Sequence, residues 1–210
     1  MTKLNLGGGK LWAEKGWQNL EYDLGYDLAE TLLTPYEDNS VDIIYTSHAL
    51  EHLPWDRIDL VLKDCFRVLK PEGLFRIVLP DVDTMWKVLQ SGSKSLLQKN
   101  NSSYYCGSGA GKFTVEQCIF ELFGYTTDGK HFLSPRCMHT AFFTPSIIGI
   151  MLRAAGFKKV ETWDFCKSNL KELETEMSHR RPPTRSHRHP MHGFDNPDTQ
   201  DISLYVECVK

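Results

Sequence analysis

The chain has 210 residues, 41% hydrophobic and 24% charged, the composition of one soluble globular domain with a full-sized core. A formal charge of −3 excludes broad nucleic-acid binding, no apolar run reaches the length of a membrane span, and the polar start MTKLNLGGGK is no signal peptide. The six cysteines are scattered with no C-x-x-C pair, which fits reduced thiols in the cytoplasm better than a disulfide framework or a zinc ribbon.

In chain order, Lys3 to Leu6 is a short strand running directly into Gly7-Gly8-Gly9, and Trp17 to Tyr22 reads as a second strand. A third strand is expected around Asp27 and Leu28. Val41 to Thr46 (VDIIYT) is β-branched and aromatic, a buried strand by type. Leu60 to Leu69 carries apolar residues at helical spacing until Pro71 and Gly73 stop it, and Leu74 to Leu79 is a strand ending at Pro80-Asp81. Strands alternating with helices imply a parallel sheet covered on both faces.

Residues 82 to 98 look helical, whereas residues 99 to 140 mix Gly, Ser, Asn and aromatics with weak periodicity, as in an insertion or lid. Thr144-Pro145 opens a helix that Gly156 closes. Lys158 to Phe165 and Ile202 to Val209 are two late strands. Between them, residues 178 to 200 form a Pro-rich polar loop; its first part, 178 to 192, holds four histidines and four arginines. Such a loop is ordinarily solvated, although its charges also suit a phosphate or a nucleotide-sugar acceptor. With no internal repeat and no linker, residues 1 to 210 read as a single domain.

A glycine-rich turn after the first strand of a parallel sheet lets a ligand approach the backbone closely. The dinucleotide pattern G-x-G-x-x-G is incomplete, because Lys10, Leu11 and Trp12 follow Gly9, and the acid Glu21 comes only 12 positions later. An NAD-dependent dehydrogenase or epimerase is the rival reading, and the missing third glycine and the short spacing count against it. His48-Ala49-Leu50-Glu51-His52 matches the H-x-x-E-H string of one class of zinc hydrolases. That chemistry needs both histidines on a stable helix with a third ligand elsewhere. A strand ending at Thr46 and the helix-disfavouring Pro54 leave room for about one turn, so the string does not carry it.

The strings LNLGGG (4–9), WQNLE (17–21), DNSVD (38–42), HALEH (48–52), RVLKPEG (67–73) and RIVLPD (76–81) together resemble the class I S-adenosylmethionine-dependent methyltransferases. More closely they are similar to a small subgroup of that family linked to surface-glycan assembly. The compact form also looks like stand-alone sugar methyltransferases of large algal viruses. The resemblance implies a Rossmann-like α/β fold with a mostly parallel seven-stranded sheet, its last strand antiparallel, and a lid inserted around 99–140. It implies S-adenosylmethionine as cofactor, with Gly7, Gly8 and Gly9 at the cofactor's amino-acid end and Glu21 on the ribose hydroxyls. Asp27 and Leu28 would flank the adenine, and Ser47 and His48 the methionine portion.

It further implies O-methylation of a rhamnose-like deoxyhexose in a surface or capsid glycan, in the cytoplasm, with a sugar or glycan as partner and the oligomeric state open, a homodimer among the options. A hydroxyl nucleophile wants a general base, and His139, which opens HTAFF, and Asp81, at a strand's carboxyl end, are the candidate catalytic residues. Ordinary roles compete: Asp81 as a helix cap, His139 as a loop histidine, Glu51 and His52 as braces of the strand-to-helix turn. A divalent ion held by Glu51, His52 and a distant histidine resembles some methyltransferases acting on polyols or RNA ends. It is not the favoured option, and no metal ligand is assigned. A non-catalytic subunit with the same fold is the non-enzymatic alternative.

Overall fold

The computed structural model describes residues 1–9, 12–33, 35–91, 139–175, 194 and 203–210. Nearly all of the expected insertion (residues 99–138) and of the His- and Arg-rich loop falls outside the described residues. Six strands form one sheet: β1 (Lys3–Leu6), β2 (Gln18–Leu20), β3 (Val41–Ser47), β4 (Leu69–Pro80), β5 (Lys158–Trp163) and β6 (Ser203–Val209), in spatial order β2-β1-β3-β4-β6-β5. The first four pair in parallel, while β6 runs antiparallel to both of its neighbours. Parallel register aligns Leu6 with Leu20 and Thr46, and Thr46 with Ile77, so the carboxyl ends of β1 to β4 share one edge. β1 lies between β2 and β3, which makes it the point where the strand order reverses, the place where open α/β sheets take their ligands.

Among the described residues three helices accompany the sheet: α1 (Trp55–Val68), α2 (Val82–Ser91) and α3 (Pro145–Ala155). α1 starts five residues before its expected position, directly after Pro54, which sits at its N-cap and keeps Leu53 extended. α3 follows its sequence signals: the Thr144 hydroxyl accepts from the Ile147 N–H, and Gly156 closes the helix at φ 112°. Ile58, Val61, Leu62 and Cys65 of α1 and Ile148 and Leu152 of α3 bury one sheet face with Leu4, Leu6, Ile44, Phe75, Ile77 and Val206. The other face (Ile43, Tyr45, Leu74, Val78, Tyr205) is covered by Trp12, Leu173 and Phe194, from connecting segments. Cys65 and Cys208 are free thiols in this interior, and burial pushes both upward in pKa, away from reactive thiolate. Among the described residues no helix is long and apolar enough to cross a membrane.

The expected third strand does not form, so the sheet has six strands among the described residues and not seven. Asp27 turns the chain instead: its side chain accepts from the Ala29 N–H, and its carbonyl accepts from Glu30 and Thr31. The segment that follows is pinned to α1. The buried Asp64 carboxylate accepts from the Leu33 N–H and from Arg67 Nε, and Arg67 also donates to the carbonyls of Leu33 and Tyr36 and to Asp38. These bonds satisfy backbone groups that a strand partner would otherwise take. Asp64→Ala should therefore lower the unfolding free energy by about 2 kcal/mol in urea melts, because it strands the Leu33 N–H and part of a guanidinium. Removing the solvent-exposed partner of Lys63, by Asp59→Ala, should barely move the midpoint. Equal costs would refute the pinning role.

Candidate active site

The glycine loop hangs from the carboxyl end of β1 and is clamped on two sides. The Gly7 N–H donates to Leu20 O at 2.9 Å. The Gly9 N–H donates to Glu21 Oε2 at 2.8 Å, and Asn19 Nδ2 donates back to Gly9 O at 2.8 Å. Gly7 (φ 72°) and Gly9 (φ 75°) occupy left-handed backbone that favours glycine. A Cβ on Gly7 would lie 2.4 Å from the Ala49 Cβ, and one on Gly8 would lie 2.1 Å from Asn5 Nδ2. The first of these contacts locks the glycine loop against the turn after β3. Asn5, Asn19 and Ala49 are site residues that reasoning from the sequence did not single out, although all three sit inside the quoted strings LNLGGG, WQNLE and HALEH.

Asn5 is buried, and neither of its side-chain polar atoms has a hydrogen bond among the described residues; the same is true of Asn19 Oδ1. Orphaned amides under a glycine loop, with a carboxylate at the next strand end, fit a ligand that carries hydroxyls and a charged amino-acid group. Asp27 and Leu28 stand in the turn after Glu21, whose carbonyl accepts from Leu24 and Tyr26 and folds that turn back toward the strand end. Leu28 is buried, and its carbonyl accepts from Arg57 Nε.

β3 ends at Ser47, and His48 follows in left-handed backbone at φ 49°, which costs a non-glycine residue free energy and marks a sharp change of direction. Its N–H donates to Val78 O, its Nε2 lies 3.0 Å from Ser203 Oγ, and its Nδ1 lies 3.3 Å from Glu51 Oε1. Leu50–His52 form a single 3-10 turn, Leu53 is extended, and α1 begins beyond Pro54. His48 and His52 thus share no helix, in keeping with the failure of the zinc-hydrolase string.

The Glu51 side chain is 1% exposed. Burial alone would raise its pKa, but contact with His48 and the charges of the nearby His48, His52 and His139 imidazoles hold it below the ordinary glutamate value. The Glu51 carbonyl accepts from the N–H groups of Thr140 (2.7 Å) and Ala141 (3.1 Å), and the Thr140 hydroxyl donates to Leu53 O at 2.8 Å. These bonds lay residues 139–141 along the turn, bringing the His139 ring to 4.9 Å from that of His52. Glu51, His52 and His139 each offer a ligand atom within 4.8 Å of the others.

Asp81 lies at the same edge but is committed differently: Oδ1 accepts from the Asp83 N–H and Oδ2 from the Thr84 hydroxyl, the bonds of an N-cap on α2. The structure therefore brings His139 together with Glu51 and His52, and gives Asp81 a capping role beside the bridge from Asp81 to Phe143.

The whole chain superposes on a SAM dependent methyltransferase from Archaeoglobus fulgidus, covering 100% of this chain and 86% of that one, with a TM-score of 0.50 at 16% identity. The fold is that of the class I methyltransferases. Residues 12–77 match the family described as methyltransferase domain. Over 65 residues, 31% of this chain, it is 37% identical to Methyltransferase GfsG of Streptomyces halstedii. Over 47 residues, 22% of this chain, it is 43% identical to a probable S-adenosylmethionine-dependent methyltransferase of Mycolicibacterium smegmatis. These matches span only 22% and 18% of the two curated relatives. Within a class I methyltransferase fold the glycine loop, Glu21 and the His48 turn occupy the crevice at the switch point. Gly7→Ala should displace the loop from Ala49, lowering the melting temperature by several degrees and abolishing nucleotide-ligand binding in calorimetry. Wild-type behaviour in both would show that the contact is slack.

Proposed function

We propose that this chain is an S-adenosylmethionine-dependent methyltransferase acting on a hydroxyl of a sugar, a rhamnose-like deoxyhexose in a surface or capsid glycan. The observation that carries the methyltransferase part is the Gly9 N–H bond to Glu21 Oε2 at the switch point of the sheet, beside the orphaned Asn5 amide and the orphaned Asn19 Oδ1. That bond orients the carboxylate at the end of β2, where it can accept from ribose hydroxyls, while the glycine backbone and the buried amides receive the amino-acid end. The sugar and glycan part is supported by the motif set and by a cluster of groups suited to a hydroxyl at the same edge.

When bound, S-adenosylmethionine supplies a sulfonium methyl that an acceptor oxygen attacks in line. The chain's own contribution lies in alignment and in handling the hydroxyl proton. His48, braced by Ser203 and Glu51, forms the wall between the glycine loop and the acceptor side. His139, with Glu51 and His52, lines the edge where that proton would leave, and the neighbouring imidazoles hold the buried Glu51 carboxyl below the ordinary glutamate value. Asp81 holds the start of α2 and so shapes the acceptor side of the edge.

Calorimetry with S-adenosylhomocysteine should give one site per chain, weakened by about tenfold in Glu21→Gln through loss of a charge-assisted bond. NAD should show no binding; the reverse pattern would favour a dehydrogenase. Incubation with labelled cofactor and a panel of free and linked deoxyhexoses should place the methyl on a ring hydroxyl. Transfer only to nitrogen or carbon acceptors would refute O-methylation.

A further inference from the structure

We infer that Glu51, His52 and His139 form a three-ligand site for a first-row divalent transition-metal ion. The three ligand atoms lie within 4.8 Å of one another, drawn from a 3-10 turn and from the distant segment that hydrogen-bonds along it. An ion held at about 2.0–2.2 Å from each would set these atoms about 3 to 3.5 Å apart, a closure of roughly 1 Å that side-chain torsions can supply.

The independent observation is the state of Glu51. Its side chain is 1% exposed; Oε1 lies 3.3 Å from His48 Nδ1, an ion-pair distance, and Oε2 has no hydrogen bond among the described residues. A buried carboxylate oxygen left so is costly unless a cation sits against it. His52 and His139 are only half-buried, which leaves a path for the ion to enter.

The donor set names the class of ion. Two imidazoles and one carboxylate suit zinc, cobalt, nickel, iron or manganese, whereas magnesium and calcium prefer all-oxygen surroundings. Three protein ligands leave coordination positions open, the arrangement of a site that works on a substrate. An acceptor hydroxyl bound in an open position releases its proton to bulk water more readily. That role rests on the methyl-transfer reading above, whereas the ion site rests on geometry alone.

The full chain, stripped with chelator and dialysed, is titrated with Co2+ followed by absorption and with Zn2+ by calorimetry. One ion per chain is expected, with visible d–d bands from cobalt. Glu51→Gln, His52→Ala and His139→Asn should each weaken uptake by at least about tenfold, the loss typical even of an outer-shell partner, with far-UV circular dichroism unchanged. Should Glu51→Gln fail to fold, the half-buried His52 and His139 variants carry the comparison. The double variant His187→Ala/His189→Ala, in the histidine-rich stretch, should retain uptake. No uptake by the wild-type chain overturns the proposal, as does uptake lost only in the double variant. S-adenosylhomocysteine binding measured on the same samples separates the two readings. Ion uptake without cofactor binding refutes the methyltransferase, and cofactor binding without ion uptake refutes the ion site.

Discussion

One backbone carbonyl organises the carboxyl-end edge of this sheet. Glu51 O takes hydrogen bonds from the N–H groups of both Thr140 and Ala141, joining positions 89 residues apart at the tip of the sheet. The turn that presents this oxygen is short, because His48 reverses direction in left-handed backbone and Pro54 forbids an early start to α1. On one side the turn packs its Ala49 methyl against Gly7, and on the other it receives His139. The glycine loop and the Glu51 cluster are thus two faces of one five-residue turn. A change in either is felt by the other through contacts only a few ångströms long.

Much of the frame could be read from local pattern. β1, β3 and β6 are short β-branched or apolar runs with clear stops, and α3 carries both its capping threonine and its closing glycine. The glycine loop and Glu21 were legible because strand, glycines and acid follow one another within a few residues. The missing strand near Asp27 was not legible. What decides it is a side-chain turn at Asp27 together with the Asp64–Arg67 system 31 or more residues away, which gathers the carbonyls of Leu33 and Tyr36. Pattern reading sees neither partner. The same limit applies to His139. Its neighbours Glu51 and His52 are remote in sequence, and only the bonds from Thr140 and Ala141 make them neighbours in space. Asp81 illustrates the opposite case, where a local reading as an N-cap describes what both carboxylate oxygens do.

The two faces of the sheet solve the burial problem differently. Under α1 and α3 the contacts are aliphatic and aromatic, as ridges of two amphipathic helices demand. The opposite face buries an ion pair: Arg76 Nη1 lies 3.0 Å from Glu207 Oε1 and also donates to Lys167 O, while Glu207 Oε2 accepts from the Asn169 N–H. The Arg76 guanidinium rests 5.4 Å from the Tyr205 ring centre. Such a pair contributes little net stability, yet it demands a particular partner on β6 and so specifies strand register where connecting segments alone would specify it weakly.

The position of β6 has a consequence for how the chain is made. It lies between β4 and β5, and among the described residues β5 pairs with no other strand. Until residues 203–209 have left the ribosome, β4 and β5 each present an open row of backbone donors and acceptors, one of them on a 12-residue strand that is buried along most of its length. A nascent chain stalled before Ser203 therefore carries two sticky edges at once. Protein synthesis, and whatever holds unfinished chains apart in the cell, has to bridge that interval before the sheet can close.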